Sequence, residues 1–520
     1  MGDVGRRNLL TVNNERRYHS KESTRYGEGN KAHNSDTTAA QPPVDPAWLA
    51  ATLSALADNH QVPGAQLAIH HDGVTVAVET GEIEHETGTP VTRQTAFPIG
   101  SLSKAWTATL AMILVADGDL ELDAPLDMHL PELGDLGRQL TLRQLLSHTS
   151  GFACSPNLCQ QSPLPMDRYV RQYCRAQDLI FPPGTGFSYS NRNYVVIGHL
   201  IETITGMSWS EAMESILLQP LNIDLASIVG TTREFFGRSI ATGHSTNTVR
   251  GRTEPVQQLL ALAEAPAGAL AMSAVDLVAL GLMHVGPGFP ELLPASYAQQ
   301  MRQAIPVAEP FGLADGWGSG LAVFRDGTTD WAGHDGNANG TSCHLRIDPA
   351  NGCVVALTTN ANTGSYLWDE LRIELARANL SLGTPRRHMS SRAPATDLTE
   401  FVGSYSNGPI EYLVSATDDG TLCLTMCGDV IARLAFFEDL DFLIQNPLSG
   451  EGRHVGRFLR DPITQQVELL QIGGRLATRR LSTLSADLTL VKSLGVPITN
   501  LVPTATCSTS SRGHSVGGLR

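Results

Sequence analysis

The run Gly100-Ser101-Leu102-Ser103-Lys104-Ala105-Trp106-Thr107-Ala108-Thr109-Leu110-Ala111-Met112-Ile113-Leu114-Val115-Ala116-Asp117-Gly118 stands out in this 520-residue chain. It predicts a helix over Ser101–Asp117 that is apolar on most faces and closed by Gly118. Such a helix is usually central and buried. Ser101 and Lys104 are three residues apart and project from one face. A serine hydroxyl is a poor nucleophile until a base takes its proton. A lysine whose pKa is lowered by burial can be that base; an arginine cannot. The chain carries 37 cationic residues, yet only four are lysines, and Lys104 is the sole lysine between residues 32 and 491. A buried lysine without a task is costly. The bland alternative is that Ser-x-x-Lys arises by chance and Ser101 merely caps a helix.

On the N-terminal side, Asp45-Pro46 reads as a cap and first turn for a helix over Ala47–Asn59. Gln66–Val78 reads as a hairpin turning at Asp72-Gly73. On the C-terminal side, residues 140–290 read as mostly helical, with Ser273-x-x-Asp276 in the form of a capping box. Strand patterns return at Gly318–Phe324, Thr328–Ala332, Thr341–Ile347 and Cys353–Thr359, before a helix over 364–379. This order predicts an α+β fold: an antiparallel sheet flanked by helices, plus an all-helical subdomain. Short strands with turns at Asn407-Gly408-Pro409, Asp418-Asp419-Gly420 and Gly473-Gly474 predict a small antiparallel β-barrel. The expected layout is an N-terminal extension over 1–42 that is polar and aperiodic, and a main domain over 43–385. A linker over 386–397, a barrel over 398–486 and a tail over 487–520 complete it.

Composition narrows the function. The chain is 42% hydrophobic, enough for a sizeable core, and carries a net charge of −15, which disfavours nucleic acid as a partner. The apolar run Ala108–Ala116 is too short to span a bilayer, and no export signal is read. A cytoplasmic protein is the expectation. Eight cysteines are too few for a disulfide scaffold and are expected as free thiols, with a loop bridge among Cys154, Cys159 and Cys174 as the lesser option. Neither they nor the 16 histidines show zinc-site spacing, so no metal and no cofactor are expected.

Two further segments carry candidate chemistry. Phe181-Pro182-Pro183-Gly184-Thr185-Gly186-Phe187-Ser188-Tyr189-Ser190-Asn191 presents a phenol and an amide just before a helix. Tyr189 can act as acid or base beside a lysine, and Asn191 can hold a substrate carbonyl or Lys104. Gly333-His334-Asp335-Gly336-Asn337 follows a strand, and its glycines let backbone approach a ligand at Gly336. His334 can bond Tyr189 or a substrate carboxylate. Each segment alone is equally an ordinary turn.

Taken in order, Ser-x-x-Lys, Tyr-x-Asn and His-x-Gly resemble the serine β-lactamase/penicillin-binding-protein superfamily. The branch is that of class C β-lactamases and related esterases, D-amino-acid peptidases and penicillin-binding-protein-type thioesterases. Leu145-Leu146-Ser147-His148-Thr149-Ser150-Gly151 and Leu120-Glu121-Leu122-Asp123-Ala124-Pro125-Leu126 resemble segments of that family too, over about residues 45–380. The resemblance implies a β-lactamase/transpeptidase-like domain, and the barrel resembles a lipocalin-like appendage of some relatives. It implies an acyl-enzyme on Ser101, general-base work shared by Lys104 and Tyr189, and orientation of lysine and substrate by Asn191. It places the oxyanion hole at the N–H groups of Ser101 and Asn337. His334-Asp335-Gly336 stands where true β-lactamases usually carry Lys-Thr-Gly, which argues against efficient antibiotic hydrolysis. His148 is expected to be structural.

The leading expectation is a serine hydrolase cleaving a small ester, thioester or peptide-like amide. Its close rival is acyl transfer, releasing a nonribosomal peptide from a carrier protein by joining it to an amine. A non-catalytic binding protein with the same fold is the alternative of another class, and a metallo-hydrolase is the least favoured.

Overall fold

The computed structural model describes residues 44–156, 163–229, 232–235, 238–248, 250–326, 329–385, 398–417, 420–437, 440–447 and 452–480. The expected extension, linker and tail, together with Cys159, Cys507 and the tips of the Asp326-Gly327 and Asp418-Asp419 turns, lie outside them.

The chain enters through α1 (Pro46–Asn59), whose Asp45 cap accepts from the Ala47 and Trp48 N–H groups. Strands β1 (Gly64–His71) and β2 (Val74–Gly81) form the expected hairpin. Asp72 and Gly73 at its turn have φ values of 50° and 78°, the paired left-handed geometry that suits strand twist. Late in the domain come β3 (Gly316–Trp317), β4 (Ala322–Asp326), β5 (Thr329–Gly336), β6 (Ser342–Asp348) and β7 (Cys353–Thr359). They complete a seven-stranded antiparallel sheet ordered β2-β1-β7-β6-β5-β4-β3. The first hairpin therefore pairs with the last strand, Leu67 opposite Leu357. Both β6 and β7 are buried throughout, as strands covered on two faces should be.

The helical block packs on one face of this sheet around α2 (Ser103–Ala116), whose residues Ser103–Val115 are all buried. Helix α3 (Leu142–Leu146) is started by a capping box between Thr141 and Gln144, and α4 (Asn191–Thr205) is capped by Ser190 and stopped by Gly206 at φ 71°. The predicted Ser273–Asp276 capping box is formed as well. A final helix over Gly364–Arg377 covers the other side of the sheet, together with α1.

Four local expectations are corrected. The Ser101 segment begins as a 3-10 turn over Gly100–Leu102, and regular helix starts only at Ser103, because the backbone at Gly100 takes a φ of 50°. Residues 140–290 are less helical than expected: hairpins Ala226–Val229/Thr232–Phe235 and Gly243–Asn247/Arg252–Val256 interrupt the block. The strand over Gly318–Phe324 is broken between β3 and β4, where Gly320 takes a φ of 104° against Ala108. Strand β5 runs on through His334-Asp335-Gly336, so the histidine is 2% exposed in a strand and not at a surface turn.

From Gly403 to Arg479, eight antiparallel strands close a barrel, joined first to last through Tyr405 and Arg479. Phe401, Phe436, Phe442 and Phe458 fill it. Full closure leaves no sheet edge exposed. The fold class is thus α+β, an antiparallel sheet flanked by helices with a helical block on one face, followed by a separate eight-stranded β-barrel.

Candidate active site

Three polar side chains of the buried helix α2 bond to a single neighbouring segment. Leu270 N–H donates to Ser103 Oγ at 3.0 Å, Lys104 Nζ donates to Ala267 O at 2.8 Å, and Thr107 Oγ1 donates to Pro266 O at 2.8 Å. Lys104 is fully buried, and its Nζ lies 3.0 Å from Ser101 Oγ. Burial lowers the lysine pKa well below its ordinary value; the Arg475 cation adds to this and Glu264 opposes it. The free amine is therefore favoured, with a lone pair for the serine proton.

Tyr189 sits just before α4, and its ring centre is 5.1 Å from Lys104 Nζ. Burial pushes its phenol up to about 12, against the pull of the Ser101 hydroxyl and Arg475. At neutral pH Tyr189 holds its proton. The His334 ring lies 6.3 Å from that of Tyr189, and its Nδ1 is 2.6 Å from its neighbour's carbonyl, Asp335 O. Nδ1 must then carry the hydrogen, leaving Nε2 as a bare acceptor. Burial, first of all, and then the nearby Lys104 bring His334 down to about 4, so the ring is neutral. Behind the strand, burial would raise Asp335, but Arg346 and His344 hold its carboxyl well below the usual range. Arg346 reaches both carboxylate oxygens, at 2.7 and 3.0 Å.

The turn bearing Ser101 and the end of β5 are in backbone contact. A Cβ on Gly336 would lie 2.0 Å from Ile99 O, and one on Gly100 would lie 2.2 Å from Asn337 O. Only glycine permits this approach. Thr341 Oγ1 secures it, donating to Pro98 O at 2.8 Å and accepting from Ala338 N–H. Ser101 and Asn337 are both partly exposed beside this contact. Asn191, the first residue of α4, faces the Glu264 carboxyl, so Ala267 O supplies the second hydrogen bond of Lys104. Burial raises Glu264, while Ser155, Lys104 and Asn191 restrain it.

The barrel enters the same site. Gly473 and Gly474, both at positive φ, turn the chain so that Gly474 O accepts from Tyr189 N–H at 2.9 Å. Asn407 accepts from Cys154 N–H at 2.6 Å and donates to Ser188 Oγ at 3.3 Å. Arg475 follows the turn, with its guanidinium carbon 5.1 Å from the Tyr189 ring centre. Sequence reasoning noted the Gly473-Gly474 turn but missed Arg475, Glu264 and Trp317, whose ring packs against Tyr189, His148 and His334. Among the described residues no cluster of His, Cys, Asp and Glu is arranged to hold a metal, and no helix is long and apolar enough to cross a membrane. Cys154, Cys174, Cys343 and Cys353 are buried free thiols.

Comparison with known proteins follows the same outline. The family model "Beta-lactamase" matches residues 49–378. "Penicillin-binding protein 4" of Amycolatopsis lactamdurans is 31% identical, over 70% of this chain and 98% of its own. "D-aminopeptidase" of Brucella melitensis biotype 1 is 24% identical, over 84% of this chain and 86% of its own. The crystal structure of SurE superposes with a TM-score of 0.75 at 39% identity, covering 84% of this chain and 99% of that one, and SurE with D-Leu gives 0.73 at 38%. With a family model matching more than half its length, the chain belongs to the beta-lactamase family.

Proposed function

We propose that this protein is a serine acyl-enzyme hydrolase acting on an ester or peptide-like amide whose acyl residue has the D configuration. The 3.0 Å approach of Lys104 Nζ to Ser101 Oγ carries the reading, because a fully buried lysine held by Ala267 O has its lone pair free for that hydroxyl. Lys104 takes the Ser101 proton as Oγ bonds to the substrate carbonyl carbon. The N–H groups of Ser101 and Asn337 receive the oxyanion, each worth about 3 kcal/mol in such sites. Tyr189, a phenol at neutral pH, gives its proton to the leaving group and regains one from Lys104. Asn191 holds the substrate carbonyl, and Gly336, with no Cβ to push the Ser101 turn away, keeps the end of β5 close enough to Ser101 for the acyl chain to lie along that strand. His334 Nε2 is positioned to accept from the substrate or from Tyr189. Water then releases the acid. The D preference is inferred from the D-aminopeptidase and from SurE with D-Leu.

Acyl transfer to an amine is the second reading. It is favoured by the barrel turn against Tyr189, which walls the acyl-enzyme on a second side and hinders water more than a bound amine. A carrier-protein thioester would then be the donor. Intact-mass spectrometry of wild type and Ser101→Ala, with a p-nitrophenyl ester and a D-residue-terminated peptidyl thioester, tests both. A wild-type adduct released as acid supports hydrolysis, and one released as an amide supports transfer. No Ser101-dependent adduct with either donor removes the acyl-enzyme reading.

A further inference from the structure

His148 ends the turn after α3 and is fully buried, with a φ of 57° that few residues other than glycine adopt. Its backbone and its ring grip the two neighbours of Tyr189. The carbonyl of His148 accepts from Ser188 N–H at 3.0 Å, and its Nδ1 accepts from Ser190 N–H at 3.1 Å. The imidazole also lies over the phenol, with ring centres 4.3 Å apart and planes 30° from parallel. Trp317 and Tyr194 close the cage around it, at 5.3 and 5.4 Å.

The tautomer of this ring is forced. Ser150 Oγ donates to Asn193 Oδ1 at 2.5 Å, which turns the Asn193 amide so that its Nδ2 donates to His148 Nδ1 at 3.0 Å. With two donors on Nδ1, the hydrogen can reside only on Nε2. Nε2 has no protein partner. Imidazolium formation would place a proton on Nδ1 against both donors. The charged or titratable groups facing the ring are Lys104, His334, Arg475, Tyr189 and Tyr194.

We infer that His148 is a positioning residue for Tyr189: a neutral, tautomer-locked clamp that holds the segment on both sides of the phenol and sets the plane of its ring. The inference rests on the acyl-enzyme reading, in which Tyr189 moves the leaving-group proton. It predicts that disturbing His148 slows chemistry at Ser101 without any contact to substrate.

The test is the rate at which a D-residue p-nitroanilide, whose leaving group needs a proton, labels Ser101 as the acyl-enzyme, followed across pH by p-nitroaniline release and intact mass, in wild type, His148→Asn and His148→Phe. Asparagine tolerates the positive φ and keeps an acceptor, while phenylalanine keeps a ring face without the acceptor. Both variants are expected to label at least about tenfold more slowly at temperatures where each is fully folded, with a displaced pH–rate limb. His148→Asn, which keeps an acceptor, should retain more activity than His148→Phe. Nitrogen-15 histidine NMR of wild type should show His148 as the Nε2–H tautomer down to about pH 5, below the unperturbed histidine pKa. A variant that is stably folded and labels at the wild-type rate with an unchanged pH profile overturns the inference. A rate loss that only follows a fall in melting temperature overturns it too, as does an Nδ1–H or imidazolium signal at pH 6. Wild type that is not labelled at Ser101 would instead defeat the acyl-enzyme reading, and the inference with it.

Discussion

The guanidinium carbon of Arg475 stands 5.1 Å from the centre of the Tyr189 ring, so the barrel contributes a cation to a site otherwise built by the β-lactamase-like domain. Lys104 Nζ is the same distance from that ring. Two cationic groups on one phenol repel each other, and the buried lysine, which can shed its proton, is the one that yields.

Replacing Arg475 by alanine should therefore raise the Lys104 pKa. At a fixed neutral pH a smaller fraction of lysine is then the free base. Acylation of Ser101 should fall by up to about tenfold for each unit of pKa change, and it should recover as pH is raised. Arg475→Lys should restore part of the rate. The pH dependence of p-nitrophenyl ester turnover reads this out. An unchanged acid limb in Arg475→Ala would show that the barrel cation does not tune the base.

Lys104→Arg keeps a nitrogen donor at this position but removes the base, since a guanidinium does not deprotonate in this range. Loss of a general base typically costs about 10²–10⁴ in rate. Acyl-enzyme formation should fall by that order, and alkaline pH should not rescue it. The Ser101→Ala chain should give no adduct at all. If Lys104→Arg formed adduct at a wild-type rate, the proton would have to leave Ser101 by another route.

The site was legible where its chemistry is local. Ser101 and Lys104 are three residues apart, and a lone lysine among arginines marked its own position. The hairpin at Asp72-Gly73 and the barrel turn at Gly473-Gly474 were equally plain, because positive φ selects those residues. What composition and periodicity could not supply were the partners brought in by distant packing. Nothing near Arg475 says that the turn before it docks on Tyr189. His148 was read as structural because a single histidine after a helix carries no sign of which ring it will stack on. The extra reach of β5 through His334 was hidden by Gly333 and Gly336, which look like turn residues in sequence. In the structure they are strand positions where another backbone leaves no room for a Cβ.

Gly336→Ala tests that last point. The added Cβ would sit 2.0 Å from Ile99 O and 2.7 Å from Leu102 N, both backbone atoms that cannot swing aside. Strand and nucleophile turn must separate, which costs about 1–3 kcal/mol in comparable overpacking. It also displaces Asn337 N–H from the place proposed for the oxyanion. A lower melting temperature together with a loss of Ser101 labelling is expected. A variant with normal labelling would mean that Asn337 does not serve the oxyanion.

Asp335→Asn probes the support behind His334. The carboxylate accepts from Arg346 at 2.7 and 3.0 Å and pairs with His344 Nδ1 at 2.8 Å, and Arg346 is itself almost wholly buried between these partners. The folded-state pKa of Asp335 is depressed, so its contribution to stability is full above the unfolded value of about 4. That contribution is lost as pH falls through this value towards the folded pKa. Wild type should therefore lose stability steeply below about pH 4. Asp335→Asn should be less stable at pH 7 by about 2 kcal/mol, the scale of a charged hydrogen-bond loss, and should show a shallower acid dependence. Because His334 Nδ1 donates to the carbonyl of this same residue, the substitution should also slow Ser101 labelling. Melting curves from pH 2 to pH 7 on both proteins make the comparison, and parallel curves would remove Asp335 as the acid-sensitive group.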